Sequence, residues 1–307
     1  MILTTRAAAT GVVAMLLFLP RPPGAAPTVR LRALRPSEAR PGTAYAGFRH
    51  ALSPAPADFH LAAYRELLAR AVRGDSVDYR TVVRDRRTLD RVVEQVAEVP
   101  RANEQGWNRR DRMAFWINAY NLFTIRAIVD HYPIHGSRFS LSPQNSIKQI
   151  DGVWTTLKWR AAERSVTLDE IEHGILRPEF ADARVHMAVN CASKSCPPLS
   201  AEPYEGADLP RQLDEAARRY LASPAGARVA GGRLLVSSIF KWYGGDFVKE
   251  YAPIDPGPGP ATDRAIRGFV ERYGPPDAAA AAKAGARLAF LDYDWSLNDI
   301  DRPAARD

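Results

Sequence analysis

Cysteine is scarce in this 307-residue chain, which has two, Cys191 and Cys196. A disulfide-stapled scaffold is excluded by that count, and a four-ligand Cys/His zinc set finds no matching spacing. The six histidines, His50, His60, His131, His135, His173 and His186, form no helical His-Glu-x-x-His pattern. His131 and His135 flank Pro133, which breaks the helix that would align them. No glycine-rich phosphate loop occurs, because Gly231-Gly232 and Gly244-Gly245 lack the strand, spacing and lysine of nucleotide motifs. The chain also has no long Lys/Arg run, so its excess of 42 basic over 35 acidic side chains reads as solubility and not as a phosphate-tracking surface. Nucleic-acid binding, a bound metal and an organic cofactor are therefore not expected.

Long apolar runs are missing as well. The longest, Ala7 to Leu19, is shorter than the roughly 20 residues that span a bilayer. With Arg6 before it and Pro20 to Pro23, Gly24, Ala25 and Ala26 behind it, the run has the three-part form of a secretory signal cleaved after Ala26. Removing residues 1–26 takes away Arg6 and Arg21 and no acid, leaving 40 basic against 35 acidic side chains, a net charge of +5. The expected address is periplasmic or secreted, with no membrane span after cleavage. Residues 27–47, rich in Pro, Ala and Arg without apolar periodicity, read as a flexible tether. Residues 48–300 read as one domain, and 301–307 as a disordered tail.

Within that domain, helical spacing of apolar residues is the main signal. Leu61, Tyr64, Leu67, Leu68 and Ala71 mark a helix over 59–72 stopped by Gly74, and Leu89, Val92, Val93 and Val96 mark another that ends before Pro100. Val77, Tyr79 and Val82 read as a short extended piece between them. Residues 111–131 are apolar around most of the cylinder, so this helix should be buried, carrying Asn118 and Asn121 on one face. Ile150 to Trp159, with a turn at Asp151-Gly152, and Ser165 to Thr167 read as short strands. Thr167 and Glu170 form a capping-box pattern that opens a short helix, Leu168 to Leu176, bearing Glu172 and His173. Arg184 to Cys191 alternates as a strand, with Val185, Met187 and Val189 facing one side and His186, Ala188 and Asn190 the other. Helices at 208–221 and 262–273, a hairpin around Gly231-Gly232, a helix or linker at 278–284 and a last strand at 286–292 complete the pattern. Helices and short strands without strict alternation indicate an α+β domain, predominantly helical with a small sheet.

Several of these segments together resemble a known family. Phe115-Trp116-Ile117-Asn118-Ala119-Tyr120-Asn121, Leu168 to Arg177 and His186 through Pro198 are similar to the domain of unknown function 547 family. Val77-Asp78-Tyr79, Lys241-Trp242-Tyr243 with Asp246-Phe247, and Leu291 to Asn298 extend the likeness. The resemblance implies a stand-alone exported protein of bacterial type. It carries over no catalytic residue, because the family has no established activity.

Candidate chemistry therefore rests on the side chains themselves. Cys191 and Cys196, four residues apart in an exported chain, suggest a loop disulfide. The sharper alternative is a Cys191 nucleophile activated by His173 or His186, with Glu172, Asn118 or Asn121 orienting the imidazole. Thiol-disulfide exchange by the same cysteines is a third reading, although the familiar redox motif has two intervening residues. Asn118, Asn121, His186, Asn190 and Trp242 are candidate ligand contacts, and Trp242, Tyr243, Tyr293 and Trp295 could form an aromatic platform. Asp292 and Asp294 fit a turn that caps backbone better than a cation site. The expectation is a polar cleft that binds or processes a small molecule, peptide or glycan of the cell envelope. A thiol-dependent hydrolase or transferase is one alternative, and a non-catalytic module with a Cys191–Cys196 disulfide is another.

Overall fold

A helix with apolar side chains on nearly every face needs protein on every side, and the chain is arranged around one such helix. The computed structural model describes residues 61–300. The signal segment, the tether, the first residues of the expected domain and the tail lie outside the described residues. In chain order, α1 (Leu61–Ala71) leads into a two-residue hairpin, β1 (Val72–Arg73) and β2 (Ser76–Val77), turned at Gly74, whose φ of 59° suits glycine. α2 (Tyr79–Arg84), α3 (Arg86–Glu98) and α4 (Arg101–Gly106) then precede the long α5 (Arg109–Asp130).

α5 begins where Asn108 accepts hydrogen bonds from the Arg110 and Asp111 amides, and it buries sixteen side chains, Trp116 and Phe123 completely. At about 1.5–3 kcal/mol for each large apolar side chain, this burial is the largest favourable contribution of any one element. The Trp116 indole N–H donates to Glu104 Oε1 at 2.9 Å, and Arg112 Nε bonds the same oxygen at 3.0 Å. A carboxylate that would be costly to bury alone is thereby paired twice.

Beyond α5, β3 (Trp159–Ala161) and β4 (Arg164–Val166) form a second hairpin, and α6 (Leu168–Ile171) continues into a π-helical stretch, Glu172–Phe180. The capping box of Thr167 and Glu170 is present. A 3-10 turn, Ala183–Met187, follows. α7 (Leu209–Ala222), β5 (Ala227–Ala230), β6 (Arg233–Val236), α8 (Ser238–Tyr251), α9 (Ala261–Tyr273), α10 (Pro276–Lys283) and β7 (Leu288–Phe290) complete the described chain. β5 and β6 are antiparallel around Gly231 and Gly232, both at positive φ, and β7 joins β6 in parallel. The fold is α+β, helix-dominated with small sheets of short strands.

Several local expectations are corrected. Arg184 to Cys191 is not a strand: Asp182 accepts from the Arg184 amide and starts the 3-10 turn, so alternation there arises without sheet pairing. Tyr79 and Val82 are helical and not extended, because Asp78 caps α2 through the Thr81 amide. Residues 151–156 are successive turns around Gly152, leaving only Trp159–Ala161 and Arg164–Val166 as strands. The helix expected to end at Leu176 runs to Phe180, through Pro178. α4 and α8 had no counterpart in the periodicity reading. In α8 the pair Gly244-Gly245 hides the helical pattern.

The core forms two clusters. One surrounds α5 and takes in α1, α3 and the 168–180 segment. The other lies under α8 and α9 with α7, α10 and β6. Among the described residues, no helix is long and apolar enough to cross a membrane.

Candidate active site

A cavity of about 360 Å³ opens where residues of the two clusters meet, within the size range of small-molecule sites. α5 contributes Tyr120, the π-helical stretch Glu172 and His173, the 3-10 turn His186, and α8 Trp242 and Tyr243. Cys191 and Cys196 line it from the loop that follows the turn, and Tyr293 and Trp295 from the segment after β7.

The cysteine loop is held in place by backbone. Ala192 takes a positive φ of 59°, which curls the chain after Cys191. The outer side of that curl pairs with residues 294–298: Lys194 N–H donates to Ser296 O at 2.8 Å, Asn298 N–H to Ala192 O at 3.1 Å, and Ser195 N–H to Asp294 O at 3.2 Å. This pairing brings Tyr293 over the loop. Its hydroxyl lies 3.3 Å from Cys191 Sγ and accepts from the Ser193 hydroxyl at 3.0 Å, while Ser193 Oγ is also 3.3 Å from Cys191 Sγ.

The two cysteines are free thiols, which corrects the expected disulfide. The curl turns Cys196 inward so that its sulfur accepts the Cys191 backbone N–H at 2.8 Å. Cys191 is half-buried and Cys196 buried. The Cys196 thiol, followed by the Ser193 and Tyr293 hydroxyls, stabilises negative charge on Cys191 against the opposing effect of burial, and lowers its pKa from 9.0 to about 7. Burial and the neighbouring Cys191 sulfur push Cys196 well up. One thiol of the pair is therefore ionised near neutrality and the other stays protonated.

Across the cavity, the histidines are oriented by charge. His186 Nε2 bonds Asp246 Oδ2 at 2.8 Å, and its ring stacks on Tyr243 with centroids 4.3 Å apart. Arg177 grips the same carboxylate through two bonds of 2.6 and 2.9 Å, and its Nη1 bonds His173 Nδ1 at 2.8 Å. Since Arg177 only donates, His173 Nδ1 accepts, and the ring proton sits on Nε2, facing Asp169 Oδ1 at 3.4 Å. His186 and then Arg177 hold the Asp246 carboxyl well below the usual carboxylate range. Buried Glu172 faces the Tyr120 and Tyr243 hydroxyls, whose pKa values are raised by burial and by this carboxylate.

Of the residues singled out in the sequence, Cys191, Cys196, Glu172, His173, His186 and Trp242 share the cavity wall. Asn118, Asn121 and Asn190 are not part of it. Asn118 exchanges two bonds with the Tyr204 backbone, and Asn121 bonds Ala188 O at 3.0 Å and Asn190 N–H at 2.8 Å. Asn190 donates to Pro197 O and accepts from the Ala192 amide. These amides shape the cysteine loop from behind. Among the described residues neither imidazole is a hydrogen-bond partner of Cys191, whose side-chain partners are the Ser193, Tyr293 and Cys196 groups.

Residues that sequence reasoning did not place in the site are Tyr120, Ser193 and Lys148, whose Nζ sits 4.7 Å over the Trp295 ring. Asp246 was noted only as part of a motif. Ser193 stands two residues from Cys191, whereas no local spacing signals Tyr120, Lys148 or Asp246, which come from distant segments. Among the described residues, no group of three or more His, Cys, Asp or Glu side chains is gathered to hold a metal ion.

Residues 104–221 match the family model described as Protein of unknown function, DUF547. Over that segment the chain is similar to the DUF547 family. The match runs from Glu104 in α4 to Leu221 in α7, and so includes Glu172, His173, His186 and both cysteines. It stops short of Trp242, Tyr243, Tyr293 and Trp295, which complete the cavity from the C-terminal part of this chain, and of Asp246, which bonds His186 behind it. No curated protein and no solved structure matches the chain.

Proposed function

We propose that this protein is a thiol-dependent enzyme, a hydrolase or group transferase, with Cys191 as nucleophile. The observation that carries the reading is the placement of the Cys191 sulfur on the wall of an aromatic-lined cavity, with its negative charge supported by Cys196, Ser193 and Tyr293. In the thiol state Cys191 donates to Ser193 Oγ, and in the thiolate state Tyr293 donates to sulfur, so the hydroxyl pair serves both forms. Glu172 and His173 stand on the same wall without touching the sulfur, which suits them to proton transfer with the substrate and its leaving group. Trp154, Trp242 and Trp295 offer flat faces to a bound ligand. The signal-like segment at residues 1–26 supports an exported protein, and with it a small molecule, peptide or glycan of the cell envelope as ligand.

Iodoacetamide labelling followed across pH, with peptide mapping, tests the nucleophile. Labelling confined to Cys191, with a midpoint near pH 7, supports the reading, and burst release from an activated ester that is lost in Cys191→Ser extends it. A midpoint near 9, or an inert Cys191, overturns it.

A further inference from the structure

We propose that Cys196 is a resolving thiol for Cys191, and that the cavity carries out thiol-disulfide exchange on a disulfide of low molecular weight or on an exposed peptide disulfide. This rests on the reading of Cys191 as the reactive nucleophile and gives Cys196 a covalent role beyond its support of the Cys191 charge. Cys196 Sγ lies 2.8 Å from the backbone nitrogen of Cys191. That nitrogen is three bonds from the sulfur of Cys191, so rotation about the Cα–Cβ bond of Cys191 changes the separation of the two sulfurs. The curl at Ala192, the Cys196 N–H bond to Ser193 O at 3.1 Å and the pairing with residues 294–298 hold the two residues in one tight loop.

The two thiols also differ in the way exchange chemistry requires. Both cysteines line the cavity, but Cys191 is half-buried, where an incoming disulfide can reach it, whereas Cys196 is buried. The chain has no third cysteine to divert the intermediate. In the first step the Cys191 thiolate attacks one sulfur of a substrate disulfide, the Cys191–S bond forms, the substrate S–S bond breaks, and one substrate thiolate leaves. In the second, Cys196 loses its proton and attacks Cys191 Sγ. The Cys191–Cys196 bond forms, the mixed disulfide breaks, and the second substrate thiolate leaves and takes a proton. The substrate disulfide gains two electrons, and the protein dithiol loses them. A second turnover needs an external dithiol to reduce the pair.

Oxidised glutathione is the probe. The full chain, reduced and freed of reductant, is mixed with it near pH 7, quenched with acid and analysed by intact mass and peptide mapping. The expected product is the wild-type protein lacking two hydrogens, with Cys191 and Cys196 linked and no glutathione retained. Cys196→Ser is expected to accumulate one glutathione on Cys191, and Cys191→Ser to react at neither position. A wild-type protein that retains glutathione on Cys191 without forming the internal bond overturns the proposal, whether or not the variants fold. Iodoacetamide labelling of the same preparation separates the two readings. Rapid labelling of Cys191 with no internal disulfide leaves the nucleophile standing and removes the resolving role, whereas an inert Cys191 removes both.

Discussion

The Tyr293 hydroxyl lies 3.3 Å from Cys191 Sγ and 3.0 Å from Ser193 Oγ, joining a loop and a segment 102 residues apart into one hydrogen-bonded group. Neither partner is basic. The group acts by donating to a sulfur anion, so its removal is felt in the ionisation of the thiol.

Tyr293→Phe is accordingly expected to raise the Cys191 midpoint from about 7 toward about 8, since loss of one charge-assisted hydrogen bond of about 1.5 kcal/mol amounts to roughly one pKa unit. The thiolate fraction at neutral pH then falls about fivefold. Iodoacetamide labelling rates measured across pH check this, with a rate plateau at high pH close to that of the wild type.

Asn121→Ala tests the support behind the cysteine loop. Its amide satisfies the Ala188 carbonyl and the Asn190 N–H, both in buried surroundings. Truncation leaves two buried backbone groups unpaired and is expected to cost about 2–4 kcal/mol in urea unfolding. A loss below about 0.5 kcal/mol would mean that the loop is held chiefly by its pairing with residues 294–298.

Asp246→Asn probes the charge network that orients His186 and Arg177. The folded state holds the Asp246 carboxyl below its ordinary value, so its contribution to stability is complete above the unfolded value of about 4 and disappears as pH falls through the lower folded value. The stability gap between wild type and variant, measured by urea unfolding at several pH values, should be largest near neutrality. It should narrow below about pH 4.

Gly268→Ala examines the close approach of α9 to the end of α8, the helix that carries Trp242, Tyr243 and Asp246. A Cβ at Gly268 would stand 2.2 Å from the Tyr251 carbonyl oxygen and 3.1 Å from Ile254 Cβ, so backbone must move. Thermal unfolding is expected to show a loss of about 1–3 kcal/mol. Gly244→Ala, where the nearest atoms are 3.8 Å away, should be much milder.

Much of the helical framework was legible in the sequence because apolar spacing reports burial directly. α5 and the capping box that opens α6 both follow from residues within one or two turns of each other. Arg184 to Cys191 misled because residues 185–190 are buried on every side, so their alternation reports no sheet face, and Asp182 starts a 3-10 turn instead. α8 escaped notice because two glycines interrupt a periodicity that packing against α9 is strong enough to override.

In the site, the sequence offered the right reactive side chains and the wrong relationships among some of them. Cys191, Glu172, His173 and His186 could be singled out by type, and all four line one cavity. The bonding state of the cysteines, the turning of His186 toward Asp246 and of Asn121 toward the cysteine loop, and the arrival of Tyr293 at the sulfur could not be read the same way. Helical periodicity is a local property, set within a few residues by backbone geometry and apolar burial. Thiol ionisation depends on donors within a few ångströms of one sulfur, and here the pairing of residues 192–195 with 294–298 delivers Tyr293, one of those donors, from the far end of the described chain.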